Sequence, residues 1–273
     1  MSLFSRKKKL IVSGCSYTDD YATTQNLKPF PLWPELLAEK LDMECINVGK
    51  VAFGNKAIYS TLIDQVVSQK NVGLAISMWS EFQRVSFYMG EGNLPKGIDE
   101  KMLWSCFHPD RDYLEGEWHD QFYDDAEKNP SKKDYVYKVS KVIREHGLGG
   151  MKGGTYDSIR MMYSFQTICE SLDIPHLQVQ GCIPIMSKTG NRGQKELCHY
   201  ILDSCYFDKI NKKTFLGWPI MPQISGTNID NHLDLIDPDR TALRISPEDV
   251  HPNEEAQEII SEILYDQYNK VYS

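Results

Sequence analysis

One apolar segment constrains the fold more than any other feature of the sequence. The run Val72–Trp79 is almost continuously apolar and has the length of one strand, which is typical of a central parallel strand buried on both faces. Shorter runs at Lys9–Ser13, Glu44–Gly49 and Ile174–Gln180 also have strand character. Segments with helical spacing of apolar residues lie between them. Alternating strands and helices of this kind predict a parallel three-layer α/β/α sheet.

The remaining segments complete this outline. Helices are predicted at Trp33–Leu41, after Gly54, at Tyr156–Leu172, at Leu197–Tyr206 and at Glu254–Tyr268. A fifth strand is poorly marked, and Thr241–Ile245 is its best candidate. The stretch Gly226–Leu235 is loop-like. Periodicity breaks down at about 87–154, which predicts an irregular insertion between the third and fourth strands.

Length and charge limit the class of protein. A chain of 273 residues with 41% hydrophobic content is large enough for one α/β domain, residues 1–273, with an insertion at about 87–154. The net charge of −8 argues against nucleic acid or an anionic membrane as a partner. No segment approaches the roughly 18 apolar residues of a membrane span. The run Leu10–Val12 is also far shorter than a signal-peptide core of about 7 to 15 residues, so we expect a cytoplasmic protein.

The cysteines do not have the spacing of a disulfide framework. There are seven, an odd number without Cys-x-x-Cys pairs, which favours reduced and mostly buried thiols. Cys198, His199 and Cys205 come nearest to a metal cluster, but structural zinc sites usually show paired close ligands. We therefore predict no metal site and no cofactor.

A serine stands where the first predicted strand ends. The strand Lys9–Ser13 runs into Gly14 and small polar residues, so the chain turns sharply at Ser16. In open α/β sheets the carboxyl ends of the strands form the edge where ligands bind. A serine at this edge is either a nucleophile or the N-cap of a helix.

The far end of the chain carries a histidine in a second polar turn. The stretch Glu248–Asn253 (EDVHPN) precedes an amphipathic segment, so His251 lies in a turn that leads into the last helix. Together with Gly14–Ser16, this turn resembles the last and first sequence blocks of the SGNH, or GDSL-type, hydrolase family, which read Asp-x-x-His and Gly-Asp-Ser. Cys15 replaces the usual aspartate, as in a G-C-S-[FY]-T variant of the first block.

The resemblance implies a flavodoxin-like parallel sheet and an ester hydrolase with a serine nucleophile. Ser16 would attack the ester carbonyl, and His251 would accept its proton. A carboxylate must orient the imidazole, and two adjacent ones are available. The spacing in the family selects Glu248, whereas the residue type in the family selects Asp249, which we favour.

The resemblance also implies donors for an oxyanion hole, beside the Ser16 N–H. The second family block places a glycine N–H there, which matches Gly54, with Gly49 as the alternative; both glycines could instead serve turns only. The third block has an asparagine where this chain has Ser80. Ser80 or Asn55 would then be the side-chain donor, although Asn55 could be no more than a helix cap. A lost donor costs roughly 2.7 to 4 kcal/mol of transition-state stabilisation.

The predicted insertion is rich in aromatic residues and acids. At the carboxyl edge of the sheet these aromatics would suit stacking on a sugar ring, although aromatics in an irregular insertion are more often a small core of their own. We therefore expect a substrate with a short acyl group, such as acetyl, on a carbohydrate or similar polar ester. The aromatics are Trp104, Phe107, Trp118, Phe122, Tyr123, Tyr135 and Tyr137.

Two other classes of function stay open. One is an inactive SGNH scaffold that acts as a binding or structural component, which the missing asparagine favours. The other is a redox or thiol enzyme that uses Cys15. No partner cysteine or resolving motif is near Cys15 in the sequence, which disfavours a thiol mechanism.

Overall fold

The computed structural model describes residues 7–89, 104–109, 130–185 and 190–272. A five-stranded sheet lies at its centre, and every neighbouring pair of strands in it is parallel. The described strands are β1 (Lys9–Ser13), β2 (Glu44–Asn47), β3 (Val72–Trp79), β4 (Val85–Tyr88), β5 (Trp104–Phe107), β6 (His176–Gln180) and β7 (Phe215–Leu216). The order across the sheet is β2-β1-β3-β6-β7.

Helices cover both faces of this sheet. On one face α8 packs against α2, and on the other α5 packs against α3 and α6. Among the described helices, none combines the length and the apolar character that crossing a bilayer requires. The helices are α1 (Tyr21–Thr24), α2 (Trp33–Lys40), α3 (Asn55–Ser68), α4 (Pro130–Glu145), α5 (Met151–Ser171), α6 (Gly190–Leu202), α7 (Ile229–Ile236) and α8 (Glu254–Tyr272).

An apolar core lies on each face of the sheet. Strands β1 and β3 contribute to both cores, because successive side chains of a strand point to opposite faces. In β1, Leu10 and Val12 belong to the apolar cluster under α2 and α8, whereas Ile11 belongs to the cluster under α3 and α5. All three side chains are fully buried, and each such burial contributes about 1.5–3 kcal/mol. The β3 residues Leu74 and Ala75 divide between the clusters in the same way. The three-layer α/β/α architecture predicted from the sequence is therefore confirmed.

The predicted position of the fifth strand was wrong. The strand that pairs with β6 is β7, whose Phe215 lies opposite Gln178; two residues are too few to show a period. The segment Thr241–Ile245 instead wraps around the carboxylate of Asp237, which accepts three of its backbone N–H groups. The predicted loop at Gly226–Leu235 also contains a helix, α7, which Asn228 caps by accepting the Asn231 N–H at 3.0 Å.

The described part of the predicted insertion has more regular structure than expected. Strands β4 and β5 form an antiparallel pair, and α4 and the first turn of α5 also lie within 87–154. Phe107 is buried and forms a small cluster with Ile143 of α4, alongside Val85 and Val139. Part of the aromatic content therefore serves a local core. Trp118, Phe122 and Tyr123 lie outside the described residues, as does the side chain of Tyr135.

Two glycines bring the loops after β1 and β2 together, which gives a test of the fold. A Cβ on Gly49 would lie 2.9 Å from the Gly14 nitrogen and 3.0 Å from its carbonyl oxygen, and backbone atoms cannot rotate away. We expect Gly49→Ala to lower the free energy of unfolding by about 1–3 kcal/mol, measured by urea denaturation.

The control for this substitution is Gly153→Ala. Gly153 is exposed in α5 and has open space where a Cβ would stand, so alanine there is expected to stabilise the helix by about 0.5–1 kcal/mol. Equal effects of the two substitutions would show that the close approach of Gly49 to Gly14 is unimportant.

Candidate active site

The loop after β1 presents Ser16 at the carboxyl edge of the sheet. The Cys15 carbonyl accepts the N–H groups of Thr18 at 2.9 Å and Asp19 at 3.2 Å, which closes a tight turn around the serine. Gly14 is required at the start of this turn, because a Cβ there would come within 2.8 Å of the Thr18 Cβ. Ser16 itself is 7% exposed.

A hydrogen-bonded chain of three side chains begins at this serine. The Ser16 Oγ lies 2.9 Å from Nε2 of His251. The other ring nitrogen, Nδ1, lies 2.6 Å from Oδ1 of Asp249. An ionised carboxylate only accepts hydrogen bonds, so Nδ1 carries the proton and Nε2 is left to accept the serine hydroxyl.

The two candidate acids have different surroundings. Burial would raise the pKa of Asp249, but hydrogen bonds from the ring and backbone N–H of His251 and from the Tyr21 hydroxyl lower it below its usual value, together with the positive charge of a protonated His251. Glu248 is exposed and accepts the Ser246 hydroxyl at 3.0 Å. The structure therefore places Asp249, and not Glu248, against His251.

Backbone hydrogen bonds hold the turn that carries both residues. The Ser246 Oγ accepts the N–H of Asp249 at 3.0 Å, and the N–H of Ile245 donates to the His251 carbonyl at 2.9 Å. Asn253 caps α8 by accepting the Ala256 N–H at 3.1 Å. Its amide also donates to the carbonyl of Ala242 at 2.7 Å. The turn that carries His251 is thus joined firmly to the start of α8.

The backbone N–H groups predicted for the oxyanion hole differ in whether they already donate a hydrogen bond. Gly49 donates its N–H to Asn47 Oδ1 at 3.0 Å, so the alternative glycine is already occupied. Gly54 precedes α3, and its N–H lowers the pKa of the Cys106 thiol, although burial raises that pKa overall. Within the described chain, no hydrogen bond takes up the backbone N–H of Ser16.

The two predicted side-chain donors are committed elsewhere or hidden. The Asn55 amide donates to the Ser80 carbonyl at 3.2 Å and to Ser158 Oγ at 2.9 Å, and it accepts the Ser80 N–H at 2.8 Å. Both amide hydrogens are thereby used, which argues against the oxyanion role predicted for Asn55. Ser80 is fully buried, and no hydrogen bond to its hydroxyl is formed within the described part of the chain.

Cys15 points into the core behind the nucleophile. A hydrogen bond from the Cys182 thiol is the main cause of a lowered pKa for Cys15; burial opposes it and the positive charge of Arg84 assists it. No other cysteine is near Cys15 in the sequence; Cys182 follows β6, and only the fold brings it close. Cys15 is 1% exposed, which leaves a substrate little access to its sulfur.

Arg84, whose side chain is partly buried, was not among the residues predicted for the site. Its guanidinium pairs with Glu81 at 2.6 Å and donates to the Phe53 carbonyl at 3.3 Å. Glu81 also lies 2.6 Å from Nε2 of His108. The only sequence signal was the short spacing of Glu81 and Arg84 at the end of β3. This cluster places a positive charge next to the loop that precedes Gly54.

Comparisons with known proteins returned structural matches of low sequence identity. No protein-family model matches the sequence, and no curated protein is similar enough to count as a match. Among solved structures, one bears the name of a lipolytic protein of the G-D-S-L family from Desulfitobacterium hafniense, with 14% identity, a TM-score of 0.48 and coverage of 95% of this chain and 99% of that one. Another is the psychrotrophic esterase EstA from Pseudoalteromonas sp., with 13% identity, a TM-score of 0.47 and coverage of 97% and 98%.

The position of Asp249 generates a direct test. Asp249→Asn should slow the reaction of Ser16 with a fluorophosphonate by on the order of a thousandfold, because the imidazole loses the carboxylate that fixes its tautomer. Glu248→Gln should change this rate little. Intact-mass spectrometry over time measures both rates. The opposite ranking would assign the orienting role to Glu248.

Proposed function

We propose that this chain is an ester hydrolase of the SGNH, or GDSL-type, family. The observation that carries the proposal is the hydrogen-bonded series Ser16, His251 and Asp249 at the carboxyl edge of a parallel sheet. Such a series is the arrangement that activates a serine hydroxyl for acyl transfer. The order of the residues along the chain and the positions of the two turns agree with the family resemblance.

The reaction proceeds in two acyl-transfer steps. Ser16 Oγ attacks the ester carbonyl while Nε2 of His251 accepts its proton, and the imidazolium is stabilised by Asp249. The tetrahedral intermediate collapses as His251 returns the proton to the leaving alcohol. Water then attacks the acyl-serine with His251 again as base, which releases the acid and restores Ser16.

The backbone N–H of Ser16 supplies the first oxyanion donor in this proposal. The N–H of Gly54 supplies the second, because its present partner, the Cys106 thiol, is only a weak acceptor that an oxyanion can replace. The side-chain donor is the weak point, since the Asn55 amide is fully engaged and Ser80 is buried. The same observation favours the second candidate function, an SGNH scaffold with little or no turnover that acts as a binding or structural component.

For the substrate we propose a short acyl ester, such as an acetyl group, on a carbohydrate or similar polar scaffold. An aromatic side chain of β4 supports stacking on such a scaffold, since Tyr88 is 61% exposed and lies on the same face of the strand as Ser86, two positions earlier. Strand β4 begins six residues after β3 ends, and Ser86 of β4 lies against the backbone of Gly54. The net charge of −8 disfavours nucleic acid, anionic polymers and anionic membranes as partners.

We also propose the cytoplasm as the compartment. All seven cysteines are free thiols, which fits a reducing environment. The proposed chemistry requires no cofactor, since the nucleophile, the base and the orienting acid are all side chains of this chain.

Labelling of the nucleophile separates the two candidate functions. The wild-type protein should react with a fluorophosphonate at Ser16, mapped by peptide mass spectrometry, and should hydrolyse p-nitrophenyl acetate. Ser16→Ala should lose both reactions and keep its thermal unfolding midpoint. A folded wild-type protein that neither labels nor turns over would support the inactive scaffold.

The proposed substrate is tested by a substitution of the exposed Tyr88. Tyr88→Ala should raise KM for an acetylated oligosaccharide by on the order of tenfold, through loss of a stacking surface, and should leave p-nitrophenyl acetate hydrolysis unchanged, which serves as the internal control. If both substrates respond equally, Tyr88 supports the fold and not the saccharide. A preference for octanoyl over acetyl esters would contradict the short acyl group.

A further inference from the structure

Tyr21 covers the imidazole of His251 and also bonds the carboxylate behind it. We propose that Tyr21 is a positioning residue of the Ser16–His251–Asp249 series, which holds the acid and the base in a single orientation. The proposal rests on the hydrolase function proposed above. It adds a fourth side chain that the family resemblance did not supply.

Two separate contacts connect Tyr21 to the series. Its ring stacks on the imidazole of His251, with a centroid distance of 3.6 Å and an angle of 21° between the planes. Its hydroxyl donates to Oδ2 of Asp249 at 3.0 Å. Oδ1 of the same carboxylate accepts Nδ1 of His251 at 2.6 Å and its backbone N–H at 3.2 Å. Both carboxylate oxygens therefore accept hydrogen bonds, and the carboxylate cannot rotate without breaking at least one of them.

Tyr21 is itself held firmly in place. It begins the short helix α1, whose N-cap Asp20 accepts the Thr23 N–H at 3.1 Å. The preceding Asp19 accepts the backbone N–H of Val51 at 3.0 Å and lies 3.2 Å from Lys50 Nζ. Tyr21 is 8% exposed. Its loop is thus tied to the loop that follows β2, and only five positions separate it from Ser16.

The phenol stays neutral and can only donate to Asp249. Burial raises the pKa of Tyr21, and the negative charge of Asp249 and the hydrogen bond to it raise it further. The hydroxyl therefore keeps its proton at neutral pH and remains a hydrogen-bond donor.

The stacked ring has its main effect when His251 is charged. During acyl transfer the imidazole becomes an imidazolium, lying between the Asp249 carboxylate and the electron-rich face of the tyrosine ring. A cation over an aromatic face is attracted by the ring quadrupole, so the ring favours the protonated base. Tyr17 contacts the same imidazole edge-on, at 5.7 Å and 70°. The Tyr17 hydroxyl donates to Asp230 at 2.8 Å, so of these two tyrosines Tyr21 is the one that hydrogen-bonds Asp249.

The two contacts can be removed in two steps, first the hydrogen bond alone and then the hydrogen bond together with the ring. Tyr21→Phe keeps the ring and removes the hydroxyl, and it should lower kcat on p-nitrophenyl acetate by on the order of tenfold with KM unchanged. Tyr21→Leu removes both contacts and should lower kcat by on the order of a hundredfold. The control is Tyr272→Phe, which removes hydroxyl hydrogen bonds of 2.9 Å to the His176 backbone at the opposite end of the sheet.

Proton NMR provides a readout that does not depend on turnover. The Nδ1 proton of His251 should give a far-downfield resonance, assigned by its loss in Asp249→Asn. It should move further downfield in Tyr21→Phe, because the carboxylate loses a competing donor, and broaden by exchange with water in Tyr21→Leu. Tyr272→Phe should leave it in place.

The outcomes distinguish this proposal from the function on which it rests. If the wild-type protein neither labels nor hydrolyses but the resonance responds to Tyr21 as expected, the hydrolase function fails and the positioning role stands. If the resonance is the same in the wild type, Tyr21→Phe and Tyr21→Leu, the positioning role is overturned. A loss of kcat in Tyr21→Phe no larger than that in Tyr272→Phe would overturn it as well.

Discussion

The hydrogen bond between Ser16 and His251 depends on the whole three-layer fold. It joins the end of β1 to the turn before α8, 235 positions away in the chain. A buried polar network brings these two segments together. The carbonyl of Tyr17 accepts the Trp33 indole N–H at 3.0 Å and the Gln257 amide at 3.4 Å, and Gln257 in turn accepts the Trp33 backbone N–H at 3.0 Å. The nucleophile loop, α2 and α8 therefore meet at one point.

Much of this arrangement could be predicted from the sequence, because its signals are local. Val72–Trp79 and the residues around Ser16 and His251 carry strand, turn and cap patterns that do not need the rest of the chain. The strand β7 could not be found, since two residues show no period. The prediction of a strand at Thr241–Ile245 was wrong because nothing in the sequence of that segment shows that three of its N–H groups bind Asp237. Tyr21 was missed for another reason: nothing in a short polar loop signals that its ring stacks on a histidine from the far end.

Ser80 and Asn55, the side-chain donors predicted for the oxyanion hole at the end of β3, are joined by hydrogen bonds of their own. These hydrogen bonds join β3 to α3. Buried amides must satisfy their hydrogen bonds, and both amide hydrogens of Asn55, which an oxyanion would need, are used by Ser80 and Ser158. A positive charge is nevertheless present nearby, on the partly buried guanidinium of Arg84, which pairs with Glu81. After the hydrogen bond from Cys182, this charge further lowers the pKa of Cys15, the neighbour of the nucleophile.

The spacing of Asp249 and His251 has a consequence for the way the site assembles. Only one residue separates the acid from the base, so their contact closes a very short loop and loses little chain entropy on forming, whereas the contact of His251 with Ser16 must close almost the entire polypeptide. The acid–base pair is therefore a property of one turn, and the serine is added to it only when folding is complete. In a partly unfolded molecule the His251–Asp249 hydrogen bond can persist after Ser16 has moved away from His251. The reactivity of Ser16 as a nucleophile is therefore a stricter indicator of native structure than the His251–Asp249 hydrogen bond.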